Sequence, residues 1–425
     1  MAPSPDGPPD GAAPLSGVRV VEIGAYMAAP FAGMQLADLG AEVIKVESPG
    51  TGDPVRANGP FIGSESSPFV RLNRNKRSLA VDLKTTQGAE LLRELVGTAD
   101  VLVENLRPGA MRRLGLGYDD LRATCPRLIY VSASGWGQDG PLAHLPGLDI
   151  MAQARSGMMS ITGEPDSGPV KAGVPVCDLV CGLYGALAAV SALRARETTG
   201  EGQYIDVSLF ESAVSLTIWE AGRYFATGEA GQRLGSAHQT NAPYQAVRSR
   251  DGWVTVGAIT PRTWKDFTTA LGLEELLGDP RYATTTARHA HRDTLIPAIE
   301  EVTGSLDSAE IVERLDAAGV PCAPIATTDQ VFTDRHLTER GFLWDADHPL
   351  LGPVRQLGSP MRFSATPARR DTAGPVLGAD TVEVLAGLGY APARISALMA
   401  DGVVHGPGKE GWGREDTDGT EHGDE

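Results

Sequence analysis

Between Val18 and Ser132 short β-rich runs alternate with stretches of helical spacing, and few folds accept that order. Val18 to Ile23 is the first run, and Pro30 to Leu39 follows as a helix, with proline in its permitted first turn and Gly40 behind it. Ala41 to Glu47 reads as a second strand, Lys76 to Leu83 as a third, Gln87 to Val96 as a helix, Asp100 to Val103 as a fourth strand and Leu128 to Ser132 as a fifth. Neighbouring parallel strands need long crossovers, and helices supply them here. The pattern therefore predicts an α/β fold with a mostly parallel sheet and helices on its faces.

Further along, a small-residue helix from Leu179 to Arg194 leads to a strand at Gln203 to Val207 and a long helix from Leu209 to Thr227. The pattern then changes. Tyr244 to Val256 reads as a hairpin turning at Asp251 and Gly252, followed by helices through Leu315. These changes divide the 425 residues into five parts: a proline-rich flexible leader (1–14), the first part of a large domain (15–225), a small α+β domain (226–324), a return to the large domain (325–405) and an acidic disordered tail (406–425).

The balance of charge excludes several partners. With 37 Lys and Arg against 54 Asp and Glu the net charge is −17, which repels nucleic acid and anionic lipid unless a basic groove is concealed. Cys125, Cys177, Cys181 and Cys322 form no CxxC pair, and the eight histidines form no HxxxH or HExxH pattern, so no metal site is expected. A reduced, cytoplasmic protein follows. The N-terminal residues lack a signal-peptide pattern, and no apolar run approaches the roughly 20 residues that span a bilayer, so no membrane span is expected.

A βαβ start with Glu47 closing the second strand invites a dinucleotide reading, but the loop after Ile23 runs Gly24 to Pro30 with one glycine where a pyrophosphate needs three. Walker and GxSxG motifs are absent. Basic residues gather in Arg71 to Arg77, before the third strand, and in Asn105 to Arg113, after the fourth; either is a phosphate site or a solvated loop. Asp178 stands in an apolar, small-residue stretch. It is either the N-cap of the following helix or a carboxylate kept ionised by that helix end for nucleophilic attack. His238 lies where the pattern changes, as a substrate-loop or a linker residue.

Five blocks carry a resemblance: Leu36 to Glu47, Asn73 to Arg77, Glu104 to Gly109, Ser134 to Pro141, and Thr199 to Gln203 leading to Asp206. In this order they resemble the class III CoA-transferase family, also called the CaiB/BaiF family. The resemblance implies a Rossmann-like large domain with a small domain, an interlocked homodimer, and coenzyme A or acyl-CoA as substrate with no tightly bound cofactor or metal. It implies that Asp178 is the nucleophile, that Asn105 and Arg113 contact CoA, and that Leu72, Arg74, Lys76 and Arg77 lie near it. The substrate loops would hold Met27, Leu148, Asp149, His238 and Gln239.

Three departures bear on substrate. Leu148 precedes Asp149 where transferases often carry an aromatic residue and the racemase branch a histidine, and Leu148 cannot move a proton. Met27 falls where the family has an active-site Gln. His238 to Asn241 replaces the glycine run of the formyl-CoA/oxalate branch, while Ala242 to Ala246 looks closest to members using succinyl-CoA and related dicarboxylic acyl groups. The expected function is thus a CoA-transferase acting through an aspartyl anhydride and an aspartyl-CoA thioester. An acyl-CoA racemase or a non-catalytic CoA-binding protein are the alternatives.

Overall fold

The computed structural model describes residues 13–407; the leader before residue 13 and the tail after residue 407 lie outside the described residues. The chain divides into two compact units, one of residues up to 156, 173–216 and from 339 onward, the other of 157–172 and 217–338.

The first unit is built on a sheet whose strands β1 (Arg19–Ile23), β2 (Glu42–Glu47), β3 (Lys76–Val81), β4 (Val101–Glu104), β5 (Ile129–Ser134) and β6 (Tyr204–Ser208) are all parallel in the spatial order 3-2-1-4-5-6. The short strand Val404–His405 adds antiparallel to β3. In such a sheet the strand order reverses between β1 and β4, and a crevice opens there at the carboxyl edge.

Successive strand residues point to opposite faces, so each strand feeds two cores. On one face Val21, Ile23, Ile44, Leu79, Leu102 and Tyr130 pack with Leu91, Leu92 and Leu95 of helix Thr86–Gly97. On the other Val20, Val43, Val101, Val103 and Val131 meet Ala29, Ala32 and Leu36 of α1 (Ala28–Asp38) and Ala186 and Ala189 of α2 (Val176–Thr199). Each fully buried Leu here stabilises the fold by about 1.5–3 kcal/mol.

Small residues decide where α2 lies. A Cβ on Gly182 would meet the Ala28 carbonyl at 2.7 Å and one on Gly185 would touch Val131, so glycines let α2 seat directly on α1 and β5. Contrary to the expectation that no apolar run approaches a spanning length, α2 is long and apolar enough by length and composition to cross a bilayer, with an 18-residue mean hydropathy of 1.9. The helix runs beyond the expected Leu179 to Arg194 at both ends. Only 39% of its apolar window is buried within the single chain, and Leu183, Tyr184 and Leu187 point outward.

The second unit has an antiparallel sheet of Tyr244–Arg248, Trp253–Gly257 and Cys322–Pro324. Val247, Val254 and Val256 pack there with Trp264, Phe267, Leu295, Ile299, Ile311 and Leu315 from three helices. The bounds differ from 226–324 for two reasons. The expected long helix from Leu209 to Thr227 is two helices, Leu209–Ser215 and Ile218–Thr227, and the break is also the unit boundary. Residues 157–172 join this unit, where the Gly235 amide donates to the Gly163 carbonyl at 2.9 Å.

Candidate active site

Asp178 sits in the first turn of α2, at the carboxyl edge of the sheet, as the third helical residue and half-buried. It is not the N-cap. That position falls to Pro175, which offers no side-chain acceptor, and the exposed helix amides are served from elsewhere: Asp149 Oδ1 accepts the Cys177 amide at 2.8 Å and the Asp178 amide at 3.3 Å. Asp149 opens the helix Asp149–Arg155, and its Oδ2 accepts from Gln153 Nε2 at 2.5 Å. A cap supplied across the fold satisfies the orphan donors and leaves the Asp178 carboxylate uncommitted to them.

The pairing sets the titration of Asp178. Burial first, and the neighbouring Asp149 second, push its carboxyl up to about 7. The helix end by itself would depress the value, and here desolvation and like charge outweigh that dipole. Leu148, just before Asp149, is 63% exposed and offers an apolar surface beside the pair.

The loop after β1 completes this edge. Met27 is the N-cap of α1, half-buried, and the Ala28 carbonyl lies against Gly182, one helical turn beyond Asp178 on the same face of α2. Asn105, at the end of β4, reaches across the crevice: its Oδ1 accepts the Ala25 amide at 2.9 Å and its Nδ2 donates to the Ala25 carbonyl at 2.8 Å. Its carboxamide is thus engaged with the β1 loop.

The two basic stretches part company. Leu72, Arg74 and Lys76, which the resemblance implies lie near CoA, are buried, and the two cations are engaged within the chain rather than free on a solvated loop. Arg74 pairs with Asp38 at 2.5 Å; Lys76 Nζ meets Glu22 at 2.6 Å, the Pro30 carbonyl at 2.7 Å and Asn73 Oδ1 at 2.8 Å. Burial pushes the Lys76 ammonium down to about 8, an effect only partly offset by Glu22. Arg77 is half-buried between Glu42, Asp380 and Glu383. By contrast Arg107, Arg112 and Arg113 are all exposed just after β4, where an anion would find them.

His238 and Gln239 stand in the second unit, both half-buried. The His238 ring stacks on Tyr244 at 4.9 Å, and Trp219 presents an edge at 5.9 Å. Sequence reasoning missed Glu104, which ends β4 and accepts from Ser132 Oγ at 2.5 Å and from the Leu106 amide; burial raises its carboxyl to about 7 against those bonds. A carboxylate closing the apolar run Val101 to Val103 was the available signal. Among the described residues no cluster of His, Cys, Asp and Glu could hold a metal ion.

A 3-2-1-4-5-6 parallel sheet with a half-buried carboxylate pair at its carboxyl edge defines an α/β protein equipped for nucleophilic carboxylate chemistry. Residues 15–381 match CoA-transferase family III, and the chain belongs to that family. It is 37% identical to human succinyl-CoA:glutarate CoA-transferase over 393 residues, covering 92% of this chain and 90% of the human one. With the succinate–glutarate CoA-transferase of Agrobacterium fabrum it shares 38% identity over 382 residues, 88% of this chain and 96% of that one. The crystal structure of a CaiB/BaiF family protein from Brucella suis superposes with a TM-score of 0.81 at 39% identity, covering 89% of this chain and all of that one.

Proposed function

We propose that the protein moves CoA from succinyl-CoA, or a related dicarboxylic acyl-CoA, to a free carboxylic acid, with Asp178 as nucleophile and CoA as substrate rather than resident cofactor. The observation that carries this reading is the Asp178 carboxylate itself, half-buried in the first turn of α2 with its helix amides capped by Asp149. The names of the relatives support the dicarboxylic donor.

The Asp178 carboxylate attacks the donor thioester carbonyl, the C–S bond breaks, and a mixed anhydride and CoA thiolate result. That thiolate attacks the aspartyl carbonyl, releasing the donor acid and leaving an aspartyl-CoA thioester. The acceptor carboxylate displaces CoA thiolate, forming a second anhydride. Thiolate attack on its acyl carbonyl gives the new acyl-CoA and frees Asp178. Thioester energy is conserved throughout, which a serine ester would not allow.

Arg107, Arg112 and Arg113 are the cations available to CoA phosphates, and the protein works as a homodimer of interlocked chains. Incubating acyl-CoA donors with a panel of free acids and reading new CoA esters by mass spectrometry tests the assignment. Succinyl-CoA with glutarate or another dicarboxylate is expected to give product. Absence of any new ester across the panel overturns the reading.

Because the nucleophile must be ionised, kcat/KM is expected to rise with pH through a midpoint near 7, the value to which burial and Asp149 push Asp178. Asp149→Asn keeps an amide acceptor for the helix but removes the neighbouring charge, so the midpoint should move to lower pH, part of the way back toward an ordinary carboxylate. Identical midpoints in the two proteins would show that the pair is not coupled.

A further inference from the structure

Beneath the β1 loop lies a cluster of charges that the chemistry above does not use. Lys45, fully buried on β2, is held by Glu22 Oε1 at 2.8 Å and Asp53 Oδ2 at 2.9 Å, and its Nζ also donates to the Gly24 carbonyl at 2.8 Å. Burial works against the ammonium, but Glu22, Asp53 and Glu47 outweigh it, so Lys45 stays charged. Asp53 is itself fixed. Its amide donates to Glu47 Oε2 at 3.0 Å and its Oδ1 accepts the Val55 amide at 3.0 Å, while Arg56 locks Glu47 through a bond of 2.7 Å.

The free side of Asp53 Oδ1 accepts the Tyr26 amide at 3.1 Å. Tyr26 has φ +63°, a left-handed conformation that a bulky side chain resists and that persists only where surroundings enforce it. Among the described residues the only other non-glycine with positive φ is Asn75, a residue type that tolerates it. Two consecutive peptide groups are thus gripped by three side chains: Gly24–Ala25 by Lys45 and Asn105, and Ala25–Tyr26 by Asn105 and Asp53. Two residues on, the Ala28 carbonyl lies against Gly182 of α2, one turn from Asp178.

We propose that Asp53 is a positioning residue: with Lys45 it forms a buried clamp that forces the strained Tyr26 backbone and so sets the wall of the site beside the nucleophile. The inference rests on the reading of Asp178 as nucleophile. Misplacing a site wall by about 1 Å costs roughly 100-fold in rate without abolishing binding.

The test compares Asp53→Ala with Asp53→Asn. The alanine variant loses the acceptor for Tyr26, and kcat should fall about 10- to 100-fold while KM for acyl-CoA stays within about threefold. Asparagine loses the charge but keeps the acceptor, and should recover most of kcat even though Lys45 has lost a counter-ion. A purely structural ion pair predicts that the two variants fall together. Arg196→Met, which removes the pair with Asp100 at the opposite edge of the sheet, is the control and should leave kcat unchanged. If single variants do not fold, the charge-neutral double variant Lys45→Met with Asp53→Ala takes their place beside Lys45→Met with Asp53→Asn.

Hydrogen exchange of the Tyr26 amide gives a readout independent of turnover: it should be slow in the wild type and Asp53→Asn, and at least about tenfold faster in Asp53→Ala. Wild-type kcat in Asp53→Ala, or unprotected Tyr26 in the wild type, overturns the clamp. A wild-type protein that transfers CoA from no donor, yet protects Tyr26, refutes the transferase reading and with it the catalytic role of the clamp, leaving the loop contact in place.

Discussion

Asp178→Ala protein is expected to bind CoA and to transfer it to no acceptor. Transfer should fall by about 10⁴-fold or more, because every step of the proposed sequence passes through a bond to this carboxylate and no nearby group can replace it. Asp149 is close but engaged: one oxygen caps α2 and the other is held by Gln153. Affinity for CoA should stay within about threefold, since the exposed arginines after β4 lie on a different loop. Calorimetric titration with CoA beside the turnover assay separates the two effects. A donor-dependent, hydroxylamine-sensitive adduct on the Asp178 peptide should appear in the wild type and vanish in the variant. Wild-type turnover by Asp178→Ala would remove Asp178 from the mechanism.

The parallel strands were legible because their signal is local. Val20 and Val21 alternate across one strand, and the observed bounds of β1 to β6 depart from the expected ones by a residue or two. Asp178 was legible for the same kind of reason, as a lone carboxylate in a small-residue run. What escaped depends on partners far away in the chain. Arg74 and Lys76 read as free cations in the sequence because their partners Asp38 and Glu22 lie 36 and 54 residues away in the chain. The cap of α2 was invisible because it comes from Asp149 on another helix. The break after Ser215 escaped because Leu216 and Thr217 include neither glycine nor proline. Residues 157–172 carry no periodicity that would tie them to a distant unit.

Leu187→Glu should be a severe variant, and the reason bears on the assembly. In the single chain Leu187 is 62% exposed, and a charged substitution at such a position ordinarily changes stability by no more than about 0.5 kcal/mol. Yet Leu183, Tyr184 and Leu187 line one side of a helix apolar enough to cross a bilayer, and in the second unit, taken by itself, Ile218, Trp219, Tyr224 and Phe225 are exposed on helix Ile218–Thr227. Large apolar side chains left exposed in this number are costly in water unless covered. In the proposed interlocked homodimer a second copy covers them, and chains threaded through each other in that way form the interface as they fold. The wild type should therefore remain a particle of about twice 44.7 kDa on dilution to nanomolar concentration, with urea midpoints that rise with protein concentration. Leu187→Glu should then lose soluble, dimeric protein rather than merely shift its midpoint. A Leu187→Glu protein that sediments as a folded, active monomer would refute the interlocked assembly, and sedimentation velocity with circular dichroism on the same sample decides it.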